Sequence, residues 1–172
     1  MTDVTPQDFD LDAWIDGTER PSRSVTIYQR AGLIADLDAL EAQILAADET
    51  EDVDGPSMGG GVGRLRAKYQ EIAQQFHDSA LTIRIEGRDE KEREAVVLRV
   101  PGLTPEQRGA VAIADAITFP KFTPEQLEKL AARIGEVQFS RIVTRYHEAC
   151  TEMPEVSADF LPKPSTPGDG GE

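Results

Sequence analysis

At 172 residues and 18.8 kDa, with 39% hydrophobic and 29% charged residues, the chain has room for one folded domain plus tails and the composition of a protein that builds a core. Its net charge of −14, from 18 Lys plus Arg against 32 Asp plus Glu, argues against a general binder of nucleic acid or of anionic membrane. One cysteine, Cys150, excludes an internal disulfide framework and a multi-cysteine zinc site, and no apolar run approaches the roughly 18 residues a membrane span needs.

The start, MTDVTPQDFD, lacks the basic and apolar regions of a signal peptide, so none is expected. Residues 1–23 read as an acidic arm studded with Phe9, Leu11, Trp14 and Ile15. Four large apolar groups in so short a segment either pack on the chain's own core or dock into a partner's groove, and Trp is the commonest residue at binding hot spots. These four are the candidate partner-binding residues. Ser24–Tyr28 is rich in β-branched and aromatic residues and predicts a short strand.

Leu33, Leu37, Leu40, Ile44 and Ala47 repeat at 4, 3, 4, 3, a helix seam of two heptads. Residues 48–63 combine an acidic run with glycines and a proline, and read as a flexible linker. Leu65, Tyr69, Ile72, Phe76 and Ser79 repeat the first seam's spacing, so the two helices are expected to form an antiparallel hairpin. The same seams also suit self-association.

Leu81, Ile83 and Ile85 alternate with polar residues, as a half-buried strand does. Val96, Leu98 and Val100 alternate likewise, which predicts a β-hairpin across GRDEKERE. The rival is a helix through 89–99, because Glu, Lys and Arg favour helix.

The last third is expected to be three helices. Thr104-Pro105-Glu106-Gln107 and Thr123-Pro124-Glu125-Gln126 each place a capping Thr, a first-turn Pro and a Gln that closes a capping box. The first helix carries Val111, Ile113, Ala114 and Ile117 and stops at Phe119-Pro120. The second carries Leu127, Leu130 and Ile134. The third follows Gly135, with Phe139, Ile142, Val143, Tyr146 and Cys150 inward. Residues 152–172 read as a disordered tail. The fold class expected is α-rich α+β: a helical hairpin, a small antiparallel sheet and a C-terminal helical cluster in one folded domain over 24–151.

No catalytic, cofactor or metal residue stands out. Asp8, Asp10, Asp12, Asp16 and Glu19 match the acidic spacing of a calcium loop, but Ala13 stands where the loop's sharp turn needs Gly. Gly63 is followed by Arg64-Leu65 rather than the Lys-Ser/Thr of a phosphate loop. His147 and Cys150 share a helical face, yet two ligands make no zinc site, and a Cys–His pair needs a third, orienting group. His77-Asp78-Ser79 is adjacent in sequence, which says nothing of a triad assembled in space. Charge is uneven: residues 1–54 carry −11, residues 64–150 carry +1 and residues 151–172 carry −4. Acidic ends on a near-neutral centre serve solubility or meet a basic partner.

FDLDAWIDG, followed by RPSRSVTIYQRAGLIADLDALEAQI, resembles the N-terminal part of tail assembly chaperones of long-tailed (siphovirus-type) phages that infect actinobacteria. FSRIVTRYHEACTEMPEVSADFLP resembles their C-terminal end. The resemblance implies a non-enzymatic factor in the cytoplasm of the infected bacterial host. It would bind the aggregation-prone tape-measure protein, help the tail-tube protein polymerise around it, and be absent from the finished virion. It also implies a longer form made by programmed frameshift, which a tail ending PSTPGDGGE would suit. By composition alone, a head–tail connector, a scaffold or a small acidic regulatory, metal-binding protein reads much the same.

Overall fold

The computed structural model describes residues 9–54 and 61–153. Among them are seven helices and a three-stranded antiparallel sheet, so the fold is α-rich α+β. The elements are α1 (Leu11–Asp16), β1 (Ser22–Tyr28), α2 (Leu33–Asp54), α3 (Gly61–Asp78), β2 (Ala80–Glu86), α4 (Glu90–Leu98), α5 (Pro105–Ala116), β3 (Ile117–Phe119), α6 (Pro124–Ile134) and α7 (Glu136–Thr151).

The sheet runs β1-β2-β3, with Val25 opposite Ile83 and Ile27 opposite Leu81. Its strands obey period 2. Val25, Ile27, Ile83 and Ile85 are buried on one face, while Thr26, Thr82 and Arg84 meet the outside or each other, the two threonine hydroxyls lying 3.1 Å apart. Helices α5, α6 and α7 cover the buried face with Ile113, Ala116, Leu127, Ile142 and Tyr146. At the edge of the sheet, Gln138 of α7 acts as a substitute strand: its amide accepts from the Tyr28 N–H (2.7 Å) and donates to the Tyr28 carbonyl (3.1 Å). The edge backbone groups at Tyr28 are thereby satisfied.

Both Thr-Pro-Glu-Gln signals are capping boxes in the structure. Gln107 N–H donates to the Thr104 hydroxyl and Gln126 N–H to that of Thr123, and each Gln side chain accepts from its Thr N–H in return. Gly135 separates α6 from α7 at φ 78°, a left-handed value that glycine adopts without strain.

Four expectations are corrected. First, the linker expected over 48–63 is helical at both ends: α2 continues to Asp54 and α3 begins at Gly61, which leaves only 55–60 outside the described residues. An acidic run makes a poor isolated helix, but α3 lies alongside, and Arg66 meets both carboxylate oxygens of Asp48 at 2.7 and 2.9 Å. Second, the β-hairpin across GRDEKERE is replaced by α4. Asp89 caps it, Glu92 closes the box, and the run of helix formers then outweighs the short alternation at Val96, Leu98 and Val100. Third, α5 ends at Ala116 rather than at Phe119. Ile117–Phe119 becomes β3, because β-branched and aromatic residues before a proline prefer extended backbone and the edge of β2 lacks a partner. Fourth, the first strand begins at Ser22, inside the stretch read as arm. The tail expected over 152–172 falls outside the described residues from 154 onward.

The α2–α3 hairpin is as expected, with its seam residues half-buried and Leu40 buried. It meets the body at its base. Phe76 stacks on Tyr28 with ring centroids 4.2 Å apart, Ser79 accepts from the Gln29 and Arg30 N–H groups, and the Arg30 guanidinium donates to Gln75.

Candidate functional site

The arm gathers four exposed large apolar residues within seven positions. Asp10 accepts a hydrogen bond from the Ala13 N–H at 3.0 Å and so starts α1. Leu11, Trp14 and Ile15 follow at i, i+3 and i+4, which places them on one face of that helix. Phe9 leans on Trp14 with ring centroids 6.4 Å apart. All four remain at least half exposed: Phe9 50%, Leu11 55%, Trp14 59% and Ile15 51%. Of the two alternatives left open by the sequence, packing on the chain's own core is therefore not the arrangement adopted. Residues 9–20 are all exposed, so α1 is not packed into the body.

The root of the arm is fixed. Arg20 places its guanidinium on both oxygens of Glu92 (2.5 and 2.7 Å), and Gly87 N–H donates to the Pro21 carbonyl at 2.8 Å. The Arg20 hydrogen bonds, and then that from the Asp89 N–H, hold the Glu92 carboxyl down to about 2. A folded value below the ordinary carboxylate range means that the bond contributes fully above about pH 5 and is lost as pH falls through about 2. A carboxyl-carbon NMR titration of Glu92 is expected to have its midpoint near 2. An ordinary midpoint would mean that the root is not held.

Beside the root, Arg88 is held by Asp115 (3.1 Å) and Glu86 (2.5 Å). Burial alone would lower its pKa, but these two carboxylates more than offset that and raise it. The Arg88 N–H donates to the Cys150 sulfur at 3.4 Å. Arg20, Arg88 and their acids thus form a brace joining the arm, α4, α5 and α7.

At the opposite end of the sheet lies a groove of about 710 Å³. Its floor is Ile27 and Leu81 of the sheet with Leu130 and Ile134 of α6, and Phe122 closes one side. Lys121, Lys129 and Arg133 stand on its rim. All three are exposed, and none forms an ion pair among the described residues. The groove was missed in the sequence. The i, i+4 pair of bases at Lys129 and Arg133, each adjoining an apolar Leu130 or Ile134, is the signal that could have marked it.

A second cavity of about 700 Å³ lies between α4, α5 and α7. Arg93 reaches it with an Nε that is buried and without a hydrogen-bond partner among the described residues. Burial pushes the neighbouring Tyr146 phenol above its ordinary value; Cys150 adds to this and Arg93 opposes it.

The remaining sequence candidates do not assemble. Asp10 spends its carboxylate on the α1 cap, and Asp12 and Asp16 lie along the helix rather than around a loop; Asp8 lies outside the described residues. Among the described residues, no group of three His, Cys, Asp or Glu is placed to hold a metal ion. The glycines of the phosphate-loop candidate lie outside the described residues except Gly61 and Gly63, which belong to α3. His147 is exposed beside the Tyr146 ring, while Cys150 turns toward Arg88. Around His77, Asp78 accepts from Gln74 and the Ser79 hydroxyl donates to the Phe76 carbonyl, so the three side chains do not act together.

No helix among the described residues is long and apolar enough to cross a membrane. No protein family, curated protein or solved structure matches the chain.

Proposed function

We propose that this protein is a phage tail assembly chaperone, a non-enzymatic factor that binds the tape-measure protein in the infected host's cytoplasm and is left out of the finished virion. The resemblance of FDLDAWIDG and FSRIVTRYHEACTEMPEVSADFLP to that family supplies the reading. The observation that supports it best is the arm. A short acidic helix presenting Phe9, Leu11, Trp14 and Ile15 to solvent is built to bind rather than to fill a core. Acidic flanks keep such a surface soluble until it meets an apolar client helix.

The test is co-expression with the tape-measure protein of the same phage. The wild-type chain is expected to keep that protein soluble and to co-purify with it. Trp14→Ala should weaken the complex by roughly tenfold or more, as loss of a hot-spot aromatic does. Because Trp14 is 59% exposed, the same change should leave the melting temperature of the free chain nearly unaltered. A lower melting temperature with undiminished binding would place Trp14 in a structural role and remove the arm from the client site. Mass spectrometry of purified particles separates the connector reading, since a connector stays in the virion and a chaperone does not.

A further inference from the structure

The arm and the basic groove lie at opposite ends of the same sheet. The arm enters β1 at Ser22, which pairs with Glu86, while the groove is floored by Ile27 and Leu81, which pair with each other. β1 has seven residues, so the two ends are separated by about 20 Å at ~3.3 Å per residue. Arg20 is held at Glu92 on the arm's side. The arm does not occupy the groove of its own chain: among the described residues none of 9–20 lines it, and Phe9, Leu11, Trp14 and Ile15 stay at least half exposed.

The two surfaces nevertheless match in chemistry. The arm offers an apolar face flanked by Asp12, Asp16 and Glu19. The groove is lined by Leu81, Leu130 and Ile134 with Lys121, Lys129 and Arg133, three bases without ion-pair partners among the described residues; they outnumber its one acid, Asp78, whose carboxylate accepts from Gln74. A six-residue helix is marginal alone and gains stability where it is covered. We infer that α1 of one copy docks into the groove between α6 and the β1–β2 end of a second copy. The contact is heterologous, joining two different surfaces, so each bound copy still offers a free arm at one end and a free groove at the other. Association therefore continues into short chains or closes into a ring. Each contact is small and charged, hence weak and salt-sensitive. This inference stands on the arm and the groove alone and does not depend on the client proposed above.

The experiment uses the full chain in sedimentation velocity across a micromolar-to-millimolar concentration series. Trp14, the chain's one tryptophan, reports burial through its emission. The wild type is expected to associate with rising concentration, with a blue shift of Trp14 emission, and to dissociate in high salt. Lys129→Glu with Arg133→Glu should weaken association at least ~10-fold, and so should Asp12→Lys with Asp16→Lys. All four residues are exposed, so both variants should keep the wild-type circular dichroism spectrum. Mixing the two variants should restore association, because the native arm of one then meets the native groove of the other. Three results would overturn the inference: a monomer at every concentration, association indifferent to both pairs of substitutions, or a mixture that stays dissociated. A Trp14 blue shift independent of concentration would place the arm on its own chain instead.

Discussion

Gly87→Ala is expected to lower the unfolding free energy by about 3 kcal/mol, the upper part of the range for overpacking a tight interior. Gly87 is buried where the chain leaves β2, and a Cβ there would lie 2.1 Å from the Ala149 carbonyl oxygen and 3.0 Å from its carbon. Both are backbone atoms of α7, so no side-chain rotation relieves the clash. The same short stretch carries the Gly87 N–H bond to Pro21 and the Arg88 N–H contact to Cys150. Moving α7 away would loosen the Arg88–Cys150 contact as well. Urea unfolding followed by far-UV circular dichroism checks this. A loss under about 0.5 kcal/mol, the level of an ordinary surface substitution, would mean that β2 and α7 do not approach so closely.

Leu127→Ala should cost a similar amount, roughly 3 kcal/mol, through lost transfer energy and the cavity left behind. Leu127 is the one fully buried residue of α6, with no exposed surface, and it lies in the core cluster with Ile83, Ile117 and Ile142. Leu130 and Ile134 of the same helix are only half-buried. Leu130→Ala should therefore cost clearly less in the same denaturation experiment. Equal losses at 127 and 130 would show that α6 is seated through its groove-facing side rather than through the core.

The contrast between those two leucines also marks what the sequence could tell. Periodicity places Leu127, Leu130 and Ile134 on one helix face, and the face is real, but spacing does not say which member reaches the centre. The two Thr-Pro-Glu-Gln boxes were legible because their chemistry is complete within four residues. The alternation of Leu81, Ile83 and Ile85 was legible because a sheet with one buried face imposes it. β3 was not, since three residues gain strand character only from the neighbouring edge of β2. The helical ends at 48–54 and 61–63 were hidden because α2 and α3 lie side by side, with Arg66 held by Asp48 across the pair. Gly87 looked like part of a charged turn, and its closeness to Ala149 is a fact of tertiary packing. The arm's apolar residues stood out in the sequence because large apolar groups among acids are conspicuous locally, and the structure leaves them exposed. The basic groove draws on residues from Ile27 to Ile134, and no local pattern joins those.

The hairpin leaves and rejoins the sheet at one point. Tyr28, the last residue of β1, is paired with Ala80, the first of β2, so everything between them departs and returns across a single strand spacing of about 5 Å. In topology, residues 29–79 are one oversized β-turn. A two-residue turn spans the same gap, and the entropy of closing a loop grows only with the logarithm of its length. The body is thus nearly indifferent to how far the excursion extends. Lengthening or shortening it beyond the base held by Phe76, Gln75 and Ser79 alters the reach of the molecule while the register of β1 on β2 stays the same.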